Sequence, residues 1–290
     1  MSEKFFRSAV REDERELPKI DTSVAHIARV YDYWLGGKDH FAVDREVGDK
    51  VLEIHPETVQ SVRANRGFLA RSVRYLTATE GIRQFLDIGT GLPSANNTHE
   101  VAQGVAPESR VVYVDNDPIV LAHARALLAS GPEGETAYLD ADMRETSTIL
   151  EGASQLLDFN EPIAVMMVAV LHMLSDDQDP YGLVERFMAA VPAGSFLVVS
   201  HLASDIQVQT MAEMRQRLND AMTQQFTMRS RDEVARFFGG LTLVEPGVVL
   251  THQWRPDGSA ESALPGVLWS GVARKDLRGR AQVAGEPLGG

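Results

Sequence analysis

Residues 83–92, Arg-Gln-Phe-Leu-Asp-Ile-Gly-Thr-Gly-Leu, run a short apolar stretch into an acid and two closely spaced glycines. A strand ending this way leads into a nucleotide-binding turn. Glycine reaches positive φ and has no Cβ, so backbone at Gly89 and Gly91 can approach a ligand closely. The next apolar run, Arg-Val-Val-Tyr-Val-Asp-Asn-Asp at 110–117, also ends in acids, at the distance downstream expected of a carboxylate facing a ribose. Two further runs repeat the plan: 136–142 ends in Asp140 and Asp142, and 163–172 is a buried-type strand ending in His172. Strands whose polar ends gather on one rim constrain the chain to a parallel sheet with a crevice at the strand C-termini.

The rest of the chain extends this pattern. Strands are predicted at 83–88, 110–115, 136–140, 163–169 and 195–200, with helices at 95–104, 118–129 and 180–191 between them. Asp117-Pro118 is a helix start, since an acidic N-cap accepts a backbone amide and proline suits the first turn. Helical stretches follow at 206–224 and 231–238, then strands at 241–250 and 266–274. Ahead of the sheet, residues 22–76 read as helices, with apolar residues at helical spacing over 47–54 and 59–76, and Gly36-Gly37 interrupts the first. The expected organisation is a disordered tail at 1–18, a helical cap at 19–80, a core at 81–275 and a second disordered tail at 276–290.

Composition removes several function classes. The chain carries 41 Asp and Glu against 28 Lys and Arg, a formal net charge of −13, which argues against nonspecific nucleic-acid binding. The absence of cysteine excludes disulfides, thiolate metal sites and cysteine nucleophiles, and the eight histidines show no zinc-binding spacing, so no metal is expected. No signal peptide is evident and no apolar run approaches the ~20 residues that span a bilayer. A soluble, cytoplasmic protein without a membrane partner is the expectation, its oligomeric state left open.

Four segments carry a resemblance: Ala28-Arg-Val-Tyr-Asp-Tyr-Trp-Leu-Gly-Gly-Lys-Asp-His-Phe41, Phe85-Leu-Asp-Ile-Gly-Thr-Gly-Leu-Pro93, Val112-Tyr-Val-Asp-Asn-Asp-Pro118 and Arg229-Ser-Arg-Asp-Glu-Val-Ala-Arg-Phe-Phe238. Through them, roughly residues 20–274 resemble class I S-adenosylmethionine-dependent methyltransferases, within a bacterial group first catalogued as a domain of unknown function. The resemblance implies a Rossmann-like α/β fold: a seven-stranded, doubly wound sheet whose last strand is antiparallel, with the N-terminal helices capping the cofactor mouth. It implies that Asp87, Gly89 and Gly91 line the methionine and ribose end of S-adenosylmethionine, that Asp115 accepts from the ribose hydroxyls and that Asn116 lies beside the adenine. Asp142 is then placed near the adenine amino group, with Ala141 and Met143 beside the ring. Ala169, with Val170 and Leu171, passes beneath the methionine part. In the cap, Tyr31, Tyr33, Gly36, Gly37 and Lys38 form the most recognisable segment, Arg66 or Lys38 is placed near the cofactor carboxylate, and Tyr31 and Tyr33 face the methyl.

The implied reaction is in-line transfer of a methyl group to an oxygen or nitrogen nucleophile of a small-molecule acceptor. His172 is the candidate base, because histidine titrates near neutrality. Two other readings share parts of the pattern. A nicotinamide-dependent oxidoreductase uses a similar turn and ribose acid, although Ser94 stands where its third glycine belongs. A non-catalytic S-adenosylmethionine-binding sensor would keep the pocket without acceptor chemistry.

Overall fold

The computed structural model describes residues 21–120, 134–260 and 263–276. Among the described residues three helices come first: α1 (Ile27–Leu35), α2 (Ala42–Ile54) and α3 (Thr58–Ala78). The sheet then begins with β1 (Gln84–Ile88), α4 (Thr98–Val105), β2 (Arg110–Asp115), β3 (Glu135–Asp140), α5 (Thr146–Ala153) and β4 (Ala164–Val168). After it come α6 (Pro180–Ala190), β5 (Phe196–Leu202), α7 (Val208–Ala221), α8 (Arg231–Ala235), β6 (Thr242–Leu243), β7 (Val249–Leu250) and β8 (Leu268–Arg274). The predicted helix 118–129 starts at Pro118, with Asp117 Oδ1 accepting from the Ile119 amide at 2.9 Å; residues 121–133 lie outside the described residues. Both expected tails also fall outside them, apart from Asp276.

Strand order is β3-β2-β1-β4-β5-β8-β6, with β7 also paired to β8. The pairs from β3 through β5 are all parallel, and β8 runs antiparallel to β5. The chain winds outward from β1 to β3 on one side and from β4 to β5 on the other. The strand order therefore reverses between β1 and β4, where open α/β sheets form a crevice beyond their strand C-termini.

The predicted strand 241–250 is a correction. Leu243 pairs with Ala273 and Val249 with Ser270, so residues 244–248 stand opposite only Gly271 and Val272. Pro246 lies in that excess segment, and proline has no amide to donate to a ladder. β6 and β7 are thus two pieces of one edge strand, which reconciles the eight strands among the described residues with the seven expected.

Both sheet faces are covered, so strands read as continuous apolar runs. Leu86, Ile88, Val112, Val165 and Met167 pack against Ile149 of α5 and Phe187 of α6. Alternate residues Phe85, Val111, Tyr113, Met166 and Val198 face Phe68, Val73 and Leu76 of α3, with Val101 of α4 and Trp254. A third cluster builds the cap, and it is not confined to the N-terminal helices. Val30, Trp34, Val51 and Val62 pack with Met211, Met214 and Leu218 of α7 and with Met222 and Phe226 beyond it. Unbranched methionine fills the irregular space between helices brought together from distant sequence.

Candidate active site

At the C-terminal ends of β1, β2 and β4, beneath α1 and α3, lies a cleft of about 1020 Å³, part of it open to solvent. Its floor comes from the turn after β1. Gly89 and Gly91 have φ of 75° and 67°, and a Cβ on Gly89 would overlap the Val170 side chain. The Gly89 amide donates to Val114 O at 2.8 Å, and the Gly91 amide donates to Asp115 Oδ2 at 2.7 Å. Asp115 Oδ1 accepts from the Asp117 amide at 3.0 Å, so one carboxylate fixes both the glycine turn and the chain leaving β2. Burial pushes Asp115 above the usual carboxylate range, opposed by those two amides.

Asp87 is buried at the end of β1, and its Oδ2 accepts from Thr98 Oγ1 at 2.6 Å. Burial pushes its pKa up to about 6; the Thr98 bond and the Arg66 charge pull it down, while Asp115 pushes it up. Arg66, on α3, donates through Nη2 to Ala95 O at 3.1 Å and Asn96 O at 2.9 Å, pinning the loop after the glycine turn. Its buried Nε has no hydrogen-bond partner and belongs to a residue lining the cleft. That unspent cationic donor suits an anionic ligand group.

On the cap side, the Tyr31 hydroxyl donates to Val62 O at 3.3 Å and accepts from Asn65 Nδ2 at 3.0 Å. Asn65 Oδ1 in turn accepts from Ser200 Oγ at 2.6 Å, linking cap to β5. Burial raises the Tyr31 pKa, so the hydroxyl stays protonated at neutral pH. Ala169, Val170 and Met173 form the wall after β4. Ala169 has φ 57°, unusual for a residue with a Cβ, and its amide donates to Ser200 O at 3.0 Å.

The cleft therefore brings together Tyr31, Arg66, Asp87, Gly89, Gly91, Asp115, Asn116, Met143 and Ala169 of the sequence-predicted set. Asp142 lies at its edge, 3.5 Å from Asn116 Nδ2, with Arg144 Nε at 2.8 Å and Nη2 at 2.6 Å. Arg144 holds its carboxyl below the usual range, so this acid is already engaged. Gly36 and Lys38 do not line the cleft. Gly36 is the left-handed cap of α1 at φ 80°, and Lys38 is exposed. Asp32 from the same segment lines it instead, its Oδ2 accepting from the Asp39 amide at 2.9 Å with His40 Nδ1 at 3.0 Å.

His172 is the largest correction. It is buried beside rather than in the cleft wall, stacked on Phe226 and edge-on to His201, with ring centroids 5.8 and 5.6 Å apart. Burial and the Arg229 charge push its pKa down to about 3. A ring this reluctant to hold a proton does not suit a general base near neutrality. Sequence reasoning also missed His26, Asp32, Met173 and Gln224 as lining residues. Asp32 lies inside the segment 28–41 that carries the resemblance and Met173 directly follows the strand ending in His172, whereas nothing local flags His26 or Gln224. Among the described residues, no group of three His, Asp or Glu side chains is placed to hold a metal ion, and no helix is long and apolar enough to cross a membrane.

Comparison with known proteins places the chain among relatives of the same fold. A DUF574 family protein from Streptomyces avermitilis MA-4680 is 43% identical, with a TM-score of 0.85 over 88% of this chain and 99% of that one. A candidate methyltransferase from Thermobifida fusca YX is 40% identical, with a TM-score of 0.82 over 90% of this chain and 98% of its own. No protein of curated function matches. The family model described as S-adenosyl methyltransferase matches residues 13–276, spanning the glycine turn, the acids after β2 and both parts of the cap. A nicotinamide-dependent reading finds no support among these relatives; the chain belongs to the S-adenosyl methyltransferase family, an enzyme family with S-adenosylmethionine as its cofactor.

Proposed function

We propose that the cleft holds S-adenosylmethionine with its ribose on Asp115 and its adenine between Asn116 and Met143, and that the acceptor is a small molecule methylated on oxygen or nitrogen. The convergence of Gly89, Gly91 and Asp115 at the strand reversal, in a cleft that Arg66 also lines, carries the reading. Arg66 would hold the cofactor carboxylate, and Asp87 would face its cationic groups. When bound, the cofactor supplies a methyl group on a sulfonium, already activated for displacement. The chain's contribution is then alignment and exclusion of water by Tyr31, Ala169 and Met173, and no side chain need activate the leaving group. Ile27, Leu35 and Met173 give the cleft an apolar side suited to the body of a small acceptor.

Calorimetric titration of S-adenosylmethionine and S-adenosylhomocysteine tests the reading. Asp115→Ala is expected to weaken both by about 10- to 100-fold, consistent with loss of charge-assisted hydrogen bonds. Unchanged affinity in a folded variant rules the placement out. A panel of phenols, alcohols and amines, followed by methyl release, then identifies the acceptor.

Asp87 adds a pH signature. Its pKa of about 6 in the free protein falls when cations bind beside it, so binding favours the ionised form. Affinity therefore rises with pH up to about 6 and is level above it, by at most ~10-fold per unit. Isothermal titrations from pH 5 to 8 should show that bend with S-adenosylmethionine, and Asp87→Asn should remove it.

A further inference from the structure

We infer that His26 and Gln224 form, with Asp117, a clasp that closes the cap over the cofactor and sets how long it stays bound; this rests on the cofactor placement above. Three segments far apart in sequence meet at one edge of the cleft. His26 is the residue before α1, Asp117 follows β2, and Gln224 belongs to the insertion that contains α7. His26 Nδ1 stands 2.8 Å from Asp117 Oδ2, and His26 Nε2 stands 3.3 Å from Gln224 Nε2. Asp117 Oδ2 is buried and receives no linear hydrogen bond, so the first contact is one of charge.

This arrangement selects a tautomer. A proton on Nδ1 faces the carboxylate and leaves Nε2 to accept from the Gln224 amide. The Ala28 amide also approaches Nδ1, but at 3.4 Å, and the closer carboxylate prevails. Two of the partners are held in place by backbone hydrogen bonds. The His26 amide donates to the buried Asp44 Oδ1 at 3.0 Å, while Asp117 Oδ1 accepts from the Ile119 amide at 2.9 Å. His26 is thus fixed to the cap by its backbone while its ring reaches the rim of the sheet. Both His26 and Gln224 line the cleft, next to the Asp115 and Asn116 proposed to hold adenosine. Opening this edge parts His26 from Asp117 or from Gln224.

The clasp predicts an effect on release rather than on entry. Stopped-flow displacement of S-adenosylhomocysteine from the full chain is expected to be about tenfold faster in His26→Gln and in Gln224→Leu, with association rates changed less than about twofold, as for contacts that form after encounter. Gln224→Glu places a carboxylate against the second ring nitrogen, which must take up a second proton to meet it; the imidazolium held between two carboxylates should slow release, and that slowing should vanish when combined with His26→Gln. A merely structural Gln224 gives no such dependence on His26. Release unchanged in both His26→Gln and Gln224→Leu overturns the clasp, as does slowing by Gln224→Glu that persists without His26. Failure of the folded wild-type protein to bind S-adenosylhomocysteine would overturn the cofactor placement itself, and with it the clasp.

Discussion

Gly89→Ala should abolish cofactor binding and lower stability together. At φ 75° an alanine occupies the left-handed region, at a cost of roughly 1–2 kcal/mol. The added Cβ also overlaps the Val170 side chain, which itself lines the cleft, and overpacking of a closed site costs about 1–3 kcal/mol. The two costs act on one turn, whose position Gly89 N–H to Val114 O and Gly91 N–H to Asp115 Oδ2 define. The molecule can relieve them only by moving that turn or Val170 into the space the cofactor needs. Denaturant unfolding should show a loss of about 2–5 kcal/mol, and calorimetry a fall in affinity beyond ~100-fold. Gly91→Ala is the informative partner, because its φ is 67° but no atom lies within 4 Å of its added Cβ. It should carry the backbone cost without the collision, and a stability loss equal to that of Gly89→Ala would refute the role given to Val170.

The second large effect is expected at Arg229, which is 1% exposed behind the wall after β4. Its Nη1 donates to Leu171 O at 3.3 Å and stands 2.9 Å from His201 Nε2; its Nη2 donates to Leu174 O at 3.0 Å and Asp176 Oδ1 at 2.6 Å. The 3₁₀ turn at Leu171–Met173 directs carbonyls inward, and the planar guanidinium satisfies two positions at once. Asp176 is largely exposed, so its pairing alone adds little; the buried carbonyls decide the outcome. Arg229→Ala leaves Leu171 O and Leu174 O without that donor and opens a void, for an expected loss of about 3–5 kcal/mol in chemical denaturation. Arg229→Lys keeps the charge but cannot span the same acceptors, and should lose less. Because Val170 precedes this turn, Met173 ends it and both line the cleft, both variants should also weaken cofactor binding. Full retention of stability in Arg229→Ala would mean that the carbonyls find other donors.

These two sites differ in how visible they are before folding. Gly89 is marked in the sequence, since an apolar run closing on Asp-Ile-Gly-Thr-Gly signals a turn, and the acids at the end of the next strand point that turn at a ligand. Arg229 stands in a segment singled out by family resemblance, yet nothing in its neighbours tells that it reaches across to the turn after β4. The same contrast runs through the cleft. Asp87, Asp115 and Ala169 sit at or just after strand ends, and strand ends are legible from alternation and apolar runs, so their convergence follows once the sheet is parallel. His172 misled because it also follows a strand end. The 3₁₀ turn carries its ring away from the crevice into contact with Phe226 and His201, and a one-dimensional pattern does not specify that rotation.

The sequence by itself determined the parallel sheet, the gathering of polar strand ends on one rim, and the glycine turn with its acids. These depend on local periodicity and on conformations that only particular residues tolerate, both written into consecutive positions. Tertiary structure alone decided that the cap is assembled from two distant stretches, that Asp32 rather than Lys38 faces the cleft, and that His26 meets Asp117 and Gln224. Those outcomes depend on which helix faces pack together. Met211, Met214 and Leu218 give α7 an apolar stripe that could cover many surfaces, and only the complementary shape left by Trp34, Val51 and Val62 selects one.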